Sequence, residues 1–161
     1  MNANLTKYSH SDKTGLSFGT QQTINASINT VWDTLTNVNA YPEWNPFTPI
    51  VKTSFEIGSP IKFKVRLLRS LPNQHISQME TVSDFTPHSL MGWRSQQGDG
   101  SRFRTHRCFH LSAIDDSRTL VENSMRYEGS LWRLFALISK HSVLNGFEDI
   151  SQALATRCAN A

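Results

Sequence analysis

The chain has little cysteine, scattered charge and no long apolar run. Cys108 and Cys158 are the two cysteines in 161 residues. One such pair makes neither a disulfide framework nor a paired metal-binding spacing, so both are expected as reduced thiols. No stretch approaches the roughly 18 consecutive apolar residues of a membrane span, which excludes a helical membrane protein. The opening MNANLTKYSHSDKTG has no apolar centre, unlike a secretory signal. The chain is therefore expected in the cytoplasm, where the glycosylation patterns at Asn4 and Asn25 have no meaning. Sixteen Lys and Arg against 13 Asp and Glu leave a net charge of +3, with no run of five like charges. That balance does not indicate a nucleic-acid-binding tail. Phosphate loops, dinucleotide fingerprints and paired-carboxylate motifs are all missing.

What the chain does have is aromatic mass. Nine Phe, four Trp and three Tyr argue against disorder, and the length suits one domain with a core and a pocket. Residues 1–15, polar and aperiodic, are expected as a flexible leader, and 16–161 as a single domain. A strand is expected near 17–26. Ser27 can then cap a short helix whose Val31, Leu35 and Val38 recur at helical spacing. Three prolines between Tyr41 and Pro49 stop it.

Strands dominate the middle. Ile61, Phe63, Val65 and Leu67 alternate with Lys62, Lys64 and Arg66, as on a strand with one wet face. Gly58 and Pro60 mark the turn of a hairpin whose first arm is 50–57. Further strands near 75–85, 89–95, 101–113 and 118–129 flank turns at Thr86-Pro87 and at Asp115–Ser117, and connections this short make the sheet antiparallel. If the last hairpin turns at Asp116, Arg104 faces Glu128 and His110 faces Glu122. From Leu131 to about Arg157 the pattern is helical, with one stripe of Leu131, Leu134, Phe135 and Ile138 and another of Phe147, Ile150 and Leu154. The two are rotated well apart, and a break is expected at Gly146. The class is α+β, an antiparallel sheet burying one face under a long C-terminal helix.

Strand parity nominates a site. Phe103, Thr105, Arg107, Phe109 and Leu111 share a face, so Arg107 points inward if its neighbours do. A buried guanidinium needs a partner, because isolating a charge from water costs several kcal/mol. Either a protein acid, water or the anionic end of a ligand meets it. On the next strand Val121, Asn123, Met125 and Tyr127 face the same way. Met91, Trp93, Trp44 and Phe47 complete an aromatic rim, with Phe135 and Ile138 from the helix. Such a set lines an apolar pocket, and equally makes an ordinary core. Tyr127 can donate a proton but is a poor base.

Two other motifs match in part. Gly15–Gly19 matches G-x-S-x-G, but that nucleophile elbow needs a strand before the serine and a helix after it, whereas here a polar leader precedes and a strand follows. His106, Cys108 and His110 share one strand face. His106 and His110, about 13 Å apart, cannot both reach one ion. Two neighbours plus an outside carboxylate could, but a solvent-facing strip is preferred, and no metal or other cofactor is expected.

The segments INASINTVWDTLTN (residues 24–37) and YPEWNP (residues 41–46) resemble the opening signature of the START/SRPBCC superfamily, most closely its polyketide cyclase/dehydrase-like members. LMGW ending at Trp93, FHL at Phe109, TLV at Thr119, YEG at Tyr127 and GFE at Gly146 agree in order, so the resemblance spans about residues 17–157. It implies a helix-grip fold, in which a curved seven-stranded antiparallel sheet wraps the C-terminal helix, with two short helices after the first strand. It also implies binding of lipids, polyketides or other apolar molecules, with catalysis in a minority. Arg107 stands where such relatives often carry His, and Met125 where a carboxylate is frequent. These departures favour binding without turnover over a cyclase or dehydratase that steadies an enolate with Tyr127, Asn123 and Arg107. A third reading is an interaction module presenting Lys62, Lys64, Arg66, Arg102, Arg104 and Arg126 to RNA or the ribosome. An apolar small molecule is the expected partner, rather than a nucleic acid.

Overall fold

The computed structural model describes residues 5–68, 70, 74–95 and 102–160; Asn4, the start of the leader, and residue 101, where a strand was expected to begin, lie outside these. Eight strands form one antiparallel sheet: β1 (Thr6–Ser11), β2 (Gly15–Ile24), β3 (Ile50–Lys52), β4 (Pro60–Val65), β5 (Ile76–Thr86), β6 (Leu90–Ser95), β7 (Arg104–Asp115) and β8 (Arg118–Glu128). Their spatial order is β1-β2-β8-β7-β6-β5-β4-β3, so the chain crosses over once, after β2, and then meanders back to it. That crossover carries α1 (Ile28–Thr36), a short 3-10 turn and α2 (Tyr41–Trp44). The long α3 (Trp132–Ala159) closes the chain. Among the described residues no helix is long and apolar enough to cross a membrane.

The architecture is the helix-grip arrangement, with eight strands where seven were expected. The eighth is β1, inside the segment read as a flexible leader. Its residues pair with β2 from Thr6 opposite Gln21 to Ser11 opposite Leu16. An edge strand with both faces wet carries no apolar alternation, so only its partners hold it. Tyr8 donates to Glu122, and Lys7 reaches Glu148 of α3 at 3.0 Å.

Other elements follow local rules. Ser27 caps α1 by accepting the Thr30 N–H at 3.2 Å. Val31 and Leu35 turn inward beneath α3, with Phe18, Ile24, Phe147, Ile150 and Leu154 in the same core. The β7–β8 register places Arg104 opposite Glu128 and His110 opposite Glu122, as the hairpin arithmetic requires. Ion pairing is redistributed, however. Glu128 takes Arg126 at 2.8 Å, which also reaches Asp12 at 3.1 Å. Arg66 leaves the outer face to approach Asp149 of α3 at 3.8 Å.

One glycine reading stands and the other changes. Ser17 of the G-x-S-x-G match lies within β2 and accepts from Arg126 at 3.0 Å, so no nucleophile elbow forms. α3 runs unbroken through Gly146. A Cβ there would stand 2.1 Å from the Phe47 ring, so the glycine serves close approach of a loop aromatic rather than a helix break. Only the second helical stripe, with Val143 added, is buried. Leu134, Leu137 and Ile138 are 50%, 85% and 68% exposed, where α3 stands across a cavity from the sheet instead of packing directly on it.

Candidate functional site

Between the concave face of the sheet and the exposed half of α3 lies a cavity of about 470 Å³. Phe63, Val65 and Leu67 form one wall; Phe103, Met125, Tyr127, Phe135 and Ile138 form the other. Phe103 stacks on Phe135 with centroids 3.8 Å apart and meets Tyr127 edge-on at 5.0 Å, tying strand, hairpin and helix together at the mouth. Trp93, Phe47 and Arg107 form the floor.

Arg107 is 2% exposed and points inward, as its parity with Phe109 and Leu111 requires. An aromatic box surrounds its guanidinium: Phe147 at 4.7 Å, Phe109 at 5.1 Å, Trp93 at 5.2 Å and Phe47 at 5.7 Å from the ring centroids. Desolvated cation–π contacts of this kind contribute about 2 kcal/mol. Its one hydrogen bond among the described residues runs from Nε to Asn123 Oδ1 at 3.4 Å, and it forms no ion pair among them. Burial lowers its pKa to about 10, opposed by nearby Tyr41 and Glu80, so it remains a cation at neutral pH. Among the described residues its remaining N–H donors have no acceptor.

Glu80 of β5 faces the same cavity, a placement the sequence pattern does not reveal. Thr105 donates to its Oε1 at 3.1 Å, while Oε2 has no partner among the described residues. Desolvation lifts its pKa to about 7, only partly offset by that bond and by the charge of Arg107. It is an acid able to give or take a proton near neutrality. Tyr127 donates to Ser139 Oγ at 2.9 Å, since Ser139 itself donates to the Phe135 carbonyl at 2.8 Å. Burial raises the Tyr127 pKa, so it remains a donor.

Of the residues nominated by sequence, the cavity brings together Phe47, Trp93, Phe103, Arg107, Met125, Tyr127, Phe135 and Ile138. Met91 and Phe109 lie behind Arg107 and line a void of about 10 Å³, room for about one water. Asn123 is fully buried behind the cavity, where it accepts from Arg107. Trp44 packs edge-on against Tyr41 at 5.0 Å and borders an outer groove instead. Sequence reading passed over Gln78 and Glu80 because Ile76, Met79, Val82 and Phe85 are spaced by three, which hides the inward face of β5. A register shift between Val82 and Asp84 accounts for part of that spacing.

Residues 16–160 match the family described as polyketide cyclase / dehydrase and lipid transport. No curated protein matches the sequence. Among solved structures, a START superfamily protein from Mycobacterium smegmatis superposes with a TM-score of 0.68 at 18% identity, covering 89% of this chain and 97% of the other. An aromatase/cyclase from a Streptomyces species gives 0.56 at 13% identity, over 93% and 94% of the two chains. Norcoclaurine synthase from Thalictrum flavum, in complex with dopamine and hydroxybenzaldehyde, gives 0.62 at 11% identity, over 99% and 89%. At these identities the structural likeness establishes the shared fold. The family match establishes that the chain belongs to the polyketide cyclase/dehydrase and lipid-transport family.

Proposed function

We propose that this family member binds an apolar small molecule with one anionic or strongly polar end, seated on Arg107. The observation that carries the reading is a buried guanidinium, most of whose donors have no acceptor among the described residues, at the floor of a largely apolar cavity. The cavity volume falls within the roughly 300–1,000 Å³ of small-molecule sites. A ligand carboxylate or enolate oxygen would complete the hydrogen bonding of Arg107, while the tail lies between Phe63 and Phe103. The outer-face reading has less support, because Arg126 and Arg66 already meet acids of the chain.

The test compares an anionic fluorescent fatty acid with a neutral naphthylamine dye. Arg107→Met should weaken the anionic probe about 10- to 150-fold, the equivalent of about 1.5–3 kcal/mol for a charged hydrogen bond, and barely change the neutral one. The free protein should hold its stability or gain some, since a buried charge is removed. Equal loss for both probes would make Arg107 a structural residue.

Glu80 favours a second reading, turnover. A carboxyl with a pKa of about 7 beside a cation that can hold an enolate oxygen is the pair needed to move a proton next to a carbonyl. A cyclase or dehydratase step on a bound ketone would then require Glu80 as well as Arg107. Product formation lost in Glu80→Gln, with probe binding kept, would favour it over binding alone.

A further inference from the structure

The opposite, outer face of the sheet holds a second cluster, which the cavity does not involve. Asp84 of β5, Gly92 of β6 and Cys108 of β7 are direct cross-strand neighbours, and His106 lies two residues before Cys108 on the same face. Asp84 and Cys108 are separated by two strand spacings of about 4.8 Å each, yet their side chains converge over the strand between. They can do so because that strand offers a glycine: a Cβ at Gly92 would stand 2.9 Å from both Asp84 Oδ2 and Cys108 Sγ.

His106 Nε2 lies 2.8 Å from Asp84 Oδ2 and 3.1 Å from Cys108 Sγ, and all three donor atoms fall within 4.8 Å of one another. One ring nitrogen has to serve both neighbours, whereas a cation at the centre takes a lone pair from each. We propose that Asp84, His106 and Cys108 bind a divalent cation of zinc type. A thiolate, an imidazole and a carboxylate form the mixed set that Zn²⁺ accepts, at bond lengths of about 2.0–2.3 Å. Tetrahedral bonds of those lengths set the donor atoms roughly 3.3–3.6 Å apart, so the close pairs open by about half an ångström. The Asp84 and His106 side chains are 27% and 22% exposed, which leaves a fourth position accessible to water. Arg94, opposite His106 on β6, is exposed, and its charge acts on both Asp84 and Cys108. The flanking pair is the one the sequence offered, and the carboxylate comes from β5. His110 takes no part.

The experiment is a cobalt titration of the metal-free full chain under a non-thiol reductant, followed by zinc displacement. One equivalent of Co²⁺ should bind, with a thiolate-to-cobalt band in the near ultraviolet and the visible bands of a four-coordinate ion. Cys108→Ser should abolish the thiolate band, and Cys158→Ser should keep it. Asp84→Asn and His106→Gln should weaken binding about tenfold or more, and Gly92→Ala should weaken it without removing a ligand. Zinc should raise the melting temperature of the wild type but not of Cys108→Ser. Asp84→Asn is nearly isosteric, so a thermal melt of each apo variant identifies any that simply fails to fold. Absence of the thiolate band, its survival in Cys108→Ser, or equal affinity in folded Asp84→Asn and His106→Gln would overturn the proposal.

Discussion

Glu80 and Arg107 face one cavity without forming an ion pair, and that arrangement decides how the site responds to pH. The folded-state pKa of Glu80, about 7, lies above the ordinary carboxylate value of about 4.5. The native state therefore holds a proton that the unfolded chain has already released. This stabilisation is complete below about pH 4.5, and it is lost as pH rises towards 7. A shift of that size corresponds to something on the order of 3 kcal/mol. Denaturation between pH 5 and 8 should show falling stability in the wild type, and Glu80→Gln should flatten the curve and gain stability at pH 8. Ionised Glu80 also competes for Arg107. Binding of an anionic apolar probe should therefore weaken above about pH 7 in the wild type and lose that dependence in Glu80→Gln. A curve of unchanged slope in the variant would mean that another group titrates.

At the scale of elements, α3 is two helices in function though one in backbone. Its C-terminal half belongs to the core, while its first three turns roof the cavity with Leu134, Leu137 and Ile138 exposed. The halves should tolerate change differently. Gly146→Ala drives a methyl group into the Phe47 ring. Overpacking of this kind costs about 1–3 kcal/mol, more than the roughly 1 kcal/mol that alanine gains over glycine in a helix. Chemical denaturation should show net destabilisation, relieved in part by Phe47→Leu. Leu137→Ser, at an exposed position, should move stability by less than about 0.5 kcal/mol.

For the whole molecule, the proposed seat on Arg107 predicts one apolar ligand per chain. Titration of an environment-sensitive neutral dye should saturate at a stoichiometry near one, with the fluorescence of Trp93 at the floor changing in step. Lys64→Ala, on the outer face, should leave both affinity and stoichiometry alone and shift stability by less than about 1 kcal/mol. Loss of dye binding in folded Lys64→Ala would reverse the assignment of inner and outer faces.

The sequence by itself determined the class, most of the sheet and the inward aim of Arg107. Alternation over 61–67, the turn at Asp116 and the parity of Phe103 through Leu111 are properties of neighbours along one strand, and pleating converts them directly into faces. It also determined the family, through the blocks at 24–37 and 41–46. Only the tertiary structure decided the rest. β1 has no apolar face, so its pairing rests on the exposed edge of β2. Glu80 turns inward on a strand whose spacing mixes periods, and a buried acid can be recognised only once the walls around it are known. Arg107 has an aromatic box instead of an acid because Phe47 and Phe147, from a loop and a helix 40 or more residues away along the chain, meet it in space alone. Asp84 meets His106 and Cys108 across a glycine, a convergence set by three strands in register. Contacts within a strand follow from local order, whereas charge balance and donor geometry follow from which distant side chains the fold brings together.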